Sequence, residues 1–105
     1  MIDGKYSVVM QTPMGPVKGT LILKTEEERL SGVLEVMGGR HPFSGGSVNG
    51  EECAFSSVIQ TPLGKLQLSV KGNVHGDSFR ATARTQMGVI TAMGKRIHPG
   101  THRKD

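Results

Sequence analysis

Apolar and polar residues alternate along nearly the whole chain with the period of two that marks a half-buried strand. Lys5–Gln11 places Tyr6, Val8 and Met10 on one face. The next run, Val17–Lys24, puts Val17, Gly19, Leu21 and Leu23 on one side and Lys18, Thr20, Ile22 and Lys24 on the other. The same alternation predicts strands over 30–36, 43–48, 53–61, 65–74, 79–85 and 89–96. Turn-forming residues fall between the runs: Thr12-Pro13-Met14-Gly15, Asn49-Gly50, Thr61-Pro62-Leu63-Gly64, His75-Gly76-Asp77-Ser78 and Gln86-Met87-Gly88. Proline fixes φ at the second turn position, and glycine tolerates the positive φ that tight hairpins need. Two joints read differently. Thr25-Glu26-Glu27-Glu28-Arg29 suits a capped helical turn. Residues 37–42 read as a loop, and the strand after it is weakened by Gly45 and Gly46.

Gln11-Thr12-Pro13-Met14-Gly15 returns as Gln60-Thr61-Pro62-Leu63-Gly64. At that offset of 49, Tyr6 falls on Phe55, Leu30 on Phe79 and Gly45 on Gly94. The expected fold is all-β. It is a single eight-stranded antiparallel up-and-down meander barrel, internally duplicated as four plus four strands, with halves at about 5–48 and 53–97. Closure removes the exposed edges and the bare face that an open sheet of these strands would leave. A two-sheet sandwich is the alternative, but its longer crossovers are missing. Residues 98–105 form a flexible basic tail in this reading.

Composition narrows the picture. At 105 residues the chain is one domain. The net charge of +4 has much of its excess in Lys95, Arg96, Arg103 and Lys104. One cysteine, Cys53, excludes an internal disulfide and suits a reducing, cytoplasmic setting. The N-terminus lacks a signal-peptide pattern, and no apolar run approaches the ~20 residues of a membrane span. No cofactor is implied.

If Tyr6 faces inward, so do Val8, Met10, Val17, Leu21, Leu23, Leu30, Leu34, Phe43, Phe55, Ile59, Leu66, Leu68, Val70, Phe79 and Ile90. Gly19, Gly32, Gly45, Ala81, Ala83, Ala92 and Gly94 share that side. Small residues among large ones either interdigitate into a filled core or leave an apolar cavity. The inward polar residues are Tyr6, Ser57 and Arg96. His41, His75, His98 and His102 lack the converging spacing a metal needs. No catalytic triad, phosphate loop or paired buried carboxylates can be drawn, so no catalytic residue is assigned. Lys65, Lys71, Arg80 and Arg84 form an outer basic patch without the aromatic platforms that single-stranded nucleic acid requires. Glu35 and Arg84 also point outward. Val9, Ile22, Val33, Val58, Val89 and Met93 on the outer face suggest packing on a partner, on a second copy, or on the other domains of a parent enzyme.

Gly4-Lys5-Tyr6 on the first strand and Arg96 on the last resemble the calycin pattern of lipocalins, avidins and fatty-acid-binding proteins. There a Gly-x-Trp packs beneath an arginine; tyrosine stands in here. The repeated Thr-Pro-Met/Leu-Gly is joined by Gly-x-Val-x-Gly-Glu/Asp at Gly46–Glu51 and Gly72–Asp77. Together they resemble a small family of bacterial β-barrel domains, found alone or at the ends of larger enzymes such as flavin-dependent reductases. The resemblance implies a fold and no activity. Two functions lead, ahead of a third, a cofactor-free enzyme that would have only Tyr6, Ser57 and Arg96 as polar groups in the lumen. In one, the lumen binds a small apolar or acyl-type ligand through Tyr6, Val8, Met10, Leu21, Leu34, Phe43, Phe55, Leu68, Phe79 and Arg96. In the other, the barrel is an oligomerisation or docking module.

Overall fold

A computed structural model describes residues 2–13, 15–61 and 64–97. The strands are β1 (Gly4–Thr12), β2 (Gly15–Glu26), β3 (Arg29–Val36), β4 (Gly39–Asn49), β5 (Glu52–Thr61), β6 (Gly64–His75), β7 (Ser78–Thr85) and β8 (Gly88–Ile97). They form a closed barrel in chain order, every neighbouring pair antiparallel. β8 returns to β1, with Tyr6 opposite Arg96 and Val8 opposite Gly94.

Each link is a two-residue hairpin closed by a paired residue on either side, from Thr12↔Gly15 round to Thr85↔Gly88. Four of these turns lie at one end of the barrel. In three of them the threonine hydroxyl donates to the carbonyl of the glycine three residues on: Thr12 to Gly15 (2.7 Å), Thr61 to Gly64 (2.8 Å) and Thr85 to Gly88 (2.8 Å). The Thr85–Gly88 turn makes this bond without a proline.

Three sequence expectations are corrected. The helical turn at 25–29 is absent: Glu26 pairs with Arg29, and Glu27 turns the chain with φ of 60°. Most of the loop expected at 37–42 is strand, because β4 starts at Gly39 and His41 pairs with Leu34. Gly45 does not face inward. Leu30 pairs with Gly46 and Gly32 with Phe43, so Ser44 and Gly45 together oppose Ser31 in a bulge, with Gly45 at φ of 78°. Gly46, opposite Leu30, thus holds the place that Gly94 holds opposite Phe79.

The core is the barrel interior. Apart from Gly45, every residue expected inside is buried or half-buried. Ile2 closes the end opposite the Thr-x-x-Gly turns, where the Tyr6 hydroxyl donates to the Ile2 carbonyl at 2.6 Å.

Candidate functional site

The Ile2 end is sealed by a clamp. Tyr6 is fully buried, tilted against Phe79 with ring centroids 5.8 Å apart. The Arg96 guanidinium lies 5.0 Å from the Tyr6 ring centroid. Its Nη1 donates to the Asp3 carbonyl, and its Nε meets Asp77 Oδ1 at 3.2 Å. Gly4 sits beneath it: a Cβ there would lie 2.6 Å from Arg96 Nη1. That contact accounts for glycine at the head of Gly4-Lys5-Tyr6. Burial holds the Tyr6 phenol above its ordinary pKa, with Arg96 pulling the other way. Asp3 accepts from the Thr25 amide at 2.9 Å and from the Thr25 hydroxyl. Burial opposes ionisation of Asp3, but those bonds outweigh it and leave the carboxyl below its ordinary value.

Above the clamp the lumen is greasy. Nine of the ten candidate lumen residues, Tyr6, Val8, Met10, Leu21, Leu34, Phe43, Phe55, Leu68 and Phe79, are buried together in one core. Arg96 is half-buried and belongs to the clamp. A cavity of about 30 Å³ remains at mid-height, lined only by apolar residues. Ala81, Ala83 and Ala92 form its wall on β7 and β8, opposite larger side chains such as Leu21 and Leu34. A water needs roughly 10–15 Å³ on this measure, and benzene fits an engineered cavity of about 150 Å³. The resting lumen is therefore close to filled.

The wall is not uniform. β4 and β5 are laced by three residue pairs only, Ser47↔Ala54, Val48↔Cys53 and Asn49↔Glu52. The other ladders carry seven to ten. Among the described residues, no ladder pair joins 39–46 to 55–61. The local sequence explains this. Pro42 has no N–H to donate and belongs on a strand edge, and the Ser44-Gly45 bulge next to it breaks the register. Phe43 and Phe55 stack across the seam at 4.0 Å between centroids, 12° from parallel. Outside, Pro42, Ser57, Val58, Gln67, Arg84 and Gln86 line a shallow hollow. Inside, Ser57 is 6% exposed, and its Oγ has no hydrogen-bond partner. The same holds for His41 Nε2. Sequence reading had picked out Ser57 as an inward polar residue. It missed His41, whose signal was a proline-bearing strand mistaken for a loop.

The remaining candidates scatter. Glu35 meets Arg40 directly across β3–β4 at 2.9 Å. His75 ends β6 and His98 and His102 lie outside the described residues, among which no cluster of metal-ligating side chains occurs. Cys53 is buried, and burial pushes its thiol pKa up, so it behaves as a core residue. All the aromatic rings are buried, which leaves Lys65, Lys71, Arg80 and Arg84 as a purely charged outer patch. On the outside of β8, Val89, Met93 and Ile97 are 66%, 58% and 40% exposed. Val58 is also exposed, whereas Val9, Ile22 and Val33 are half-buried. Among the described residues no helix is long and apolar enough to cross a membrane.

Solved structures share this architecture. A redesigned β-barrel matches with a TM-score of 0.72 at 14% identity over 92% of each chain. A de novo designed fluorescence-activating β-barrel matches with a TM-score of 0.61 at 15% identity, over 90% of this chain and 93% of that one. At such identity the likeness is one of fold. No family model and no curated protein matches the chain. The class is thus an eight-stranded antiparallel up-and-down barrel. The calycin and bacterial-domain resemblances rest on their motifs alone.

Proposed function

We propose that the protein is a binding barrel whose lumen takes a small, largely apolar molecule. The observation that carries this reading is the unlaced stretch of wall between β4 and β5, set over a wholly apolar interior. A barrel serving only as a scaffold gains nothing from leaving two strand edges unpaired, since unpaired strand backbone is costly to bury. A passage there needs no ladder to be broken. Room inside comes from side-chain movement: Met10 is flexible, and the Ala81, Ala83 and Ala92 side leaves little bulk to displace. The likeness to a designed fluorescence-activating barrel fits this reading at the level of fold.

The test is a titration of the full chain with a panel of small apolar molecules, followed by amide chemical shifts. Shifts are expected at Val8, Leu34, Phe55, Leu68, Ala83 and Ile90. A panel that moves none of them overturns the proposal.

A second reading is favoured by Val89, Met93 and Ile97, exposed apolar residues on the outer face of β8 that alternate there with Thr91 and Lys95. It suits docking, on a second copy or on other domains of a longer enzyme. Sedimentation of the wild type and of Met93→Asp decides it: an assembly that the substitution dissolves supports docking, and a monomer at all concentrations removes self-association.

A further inference from the structure

The wall beside the seam is loose on a second flank. β6 joins β7 only from Ser69↔Arg84 onward, so no ladder pair joins 64–68 to β7. None joins 55–61 to β4 either. Among the described residues, the outer part of the β5–β6 hairpin is therefore laced only to itself, from Ser57↔Leu68 to Thr61↔Gly64. The other hairpins at that end are each laced on at least one flank: β1 to β8 as far as Gln11, β3 to β2 as far as Val36, and β7 to β6 as far as Arg84. A two-stranded ribbon without neighbours is marginal in water, so this arm is the part of the wall that opens most readily.

Two things hold the arm down. One is its inner face: Ile59 is 2% exposed, and Leu66 packs half-buried against the core. That pair stands one inward position beyond Leu68, which lines the cavity, and so fills the space between the cavity and the Thr-x-x-Gly end. The other is Gln86, in the turn between β7 and β8. Its Nε2 donates to the Lys65 carbonyl at 2.9 Å, and its Oε1 accepts from the Gln67 amide at 3.0 Å. One side-chain amide thus pairs with the β6 edge as a strand residue would, just past the point where the ladder stops. Gln86 is exposed, so it can let go without disturbing its own strand.

Resting on the lumen reading above, we propose that the β5–β6 arm is the lid of the lumen and that Gln86 is its latch. Swinging out releases the two Gln86 bonds and the packing of Ile59 and Leu66; no ladder outside the arm breaks. The movement lifts the β5 side of the seam and uncovers Leu68 and the cavity behind it. Closed, the arm keeps water off an apolar interior; open, it admits a ligand. Lids are drawn from the locally unstable parts of a fold, and this arm is such a part.

The experiment uses the full chain as wild type, Gln86→Leu and Gln11→Leu. Leucine keeps most of the bulk of glutamine and removes both bonds; Gln11 is an exposed residue of β1 at the same end. Amide hydrogen exchange in low urea reads the arm without ligand. The Ile59 and Leu66 amides lie in the hairpin's own ladder and do not touch Gln86, so a lost side-chain bond alone does not expose them. In the wild type they should exchange faster than Val70, which is laced on both flanks, and with a shallower urea dependence, the mark of a local opening. Gln86→Leu should speed them about five- to thirtyfold, the worth of two hydrogen bonds, and Gln11→Leu should not. With hexanol as the probe, entry and release should quicken by the same factor in Gln86→Leu while the affinity holds. Ile59 and Leu66 amides that share the rate and urea slope of Val70 overturn the arm, and the lumen reading stands. Quicker amides with unchanged hexanol rates overturn the lid, because the ligand then enters elsewhere. Hexanol that binds neither protein overturns the lid and the lumen reading together.

Discussion

Replacing Ser57 by alanine should make the protein more stable. Ser57 lies on the inner face of β5 at 6% exposure, and its hydroxyl meets no partner. Burying a hydroxyl without a hydrogen bond costs roughly 1–3 kcal/mol in proteins. Alanine removes that cost and leaves a void the size of one oxygen, worth about 0.3 kcal/mol against the variant at ~24 cal/mol per Å³. The net gain is on the order of 1 kcal/mol. At ~2.1 cal/mol/K per residue, a chain of this length has an unfolding entropy near 0.2 kcal/mol/K, so the melting temperature should rise by about 4–5 °C. Thermal melting and urea titration together read it, the urea slope staying constant if only stability has changed. Ser56→Ala, one residue away on the outer face, should do nearly nothing. A melting temperature that falls by several degrees in Ser57→Ala would show that the hydroxyl has a partner in the resting barrel, and the orphan account would be wrong.

Other positions give sharp expectations. A Cβ at Gly32 would lie 1.9 Å from the Ile22 carbonyl oxygen and 2.9 Å from Phe43 Cζ. Gly32→Ala should therefore cost about 3 kcal/mol or more in urea unfolding, because backbone cannot give way as a side chain can. Arg96→Ala removes the ring contact, the Asp77 pair and the bond to Asp3. The loss should be about 2 kcal/mol, with faster hydrogen exchange at Tyr6 and neighbouring β1 amides. Asp3 has a folded pKa below its ordinary 3.8. Its contribution is thus full above that ordinary value and disappears as pH falls through the lowered one. Asp3→Asn should flatten the acid limb of the stability profile and change little of its shape near neutrality.

The barrel was legible because its strands alternate so strictly. The Tyr6, Val8, Met10 face and the Leu66, Leu68, Val70 face could each be assigned from spacing alone, and closure followed from the number of one-faced strands. The clamp was implied only by the resemblance of Gly4-Lys5-Tyr6 and Arg96 to the calycin pattern; the β1–β8 ladder brings the ring and the guanidinium together. β4 was obscured by its own irregularity. Pro42 and the Gly45-Gly46 pair read as breakers, yet in the fold they mark a strand that is paired on one side and loose on the other. A one-residue bulge reverses the inward and outward assignment beyond it, so Gly45 was placed inside where Gly46 belongs. His41 went unassigned because Pro42 and the glycines around it made residues 37–42 read as a loop. Where the β4–β5 ladder stops short depends on that bulge, and spacing along one chain does not carry it.

The most direct test is a search for intermolecular nuclear Overhauser effects between hexanol and the methyl groups of the labelled protein. Cross-peaks to Leu34, Leu68, Ala83 and Ile90 are the expected result. Cross-peaks confined to Val89, Met93 and Ile97 on the outer face, with none inside, would contradict a lumen that binds.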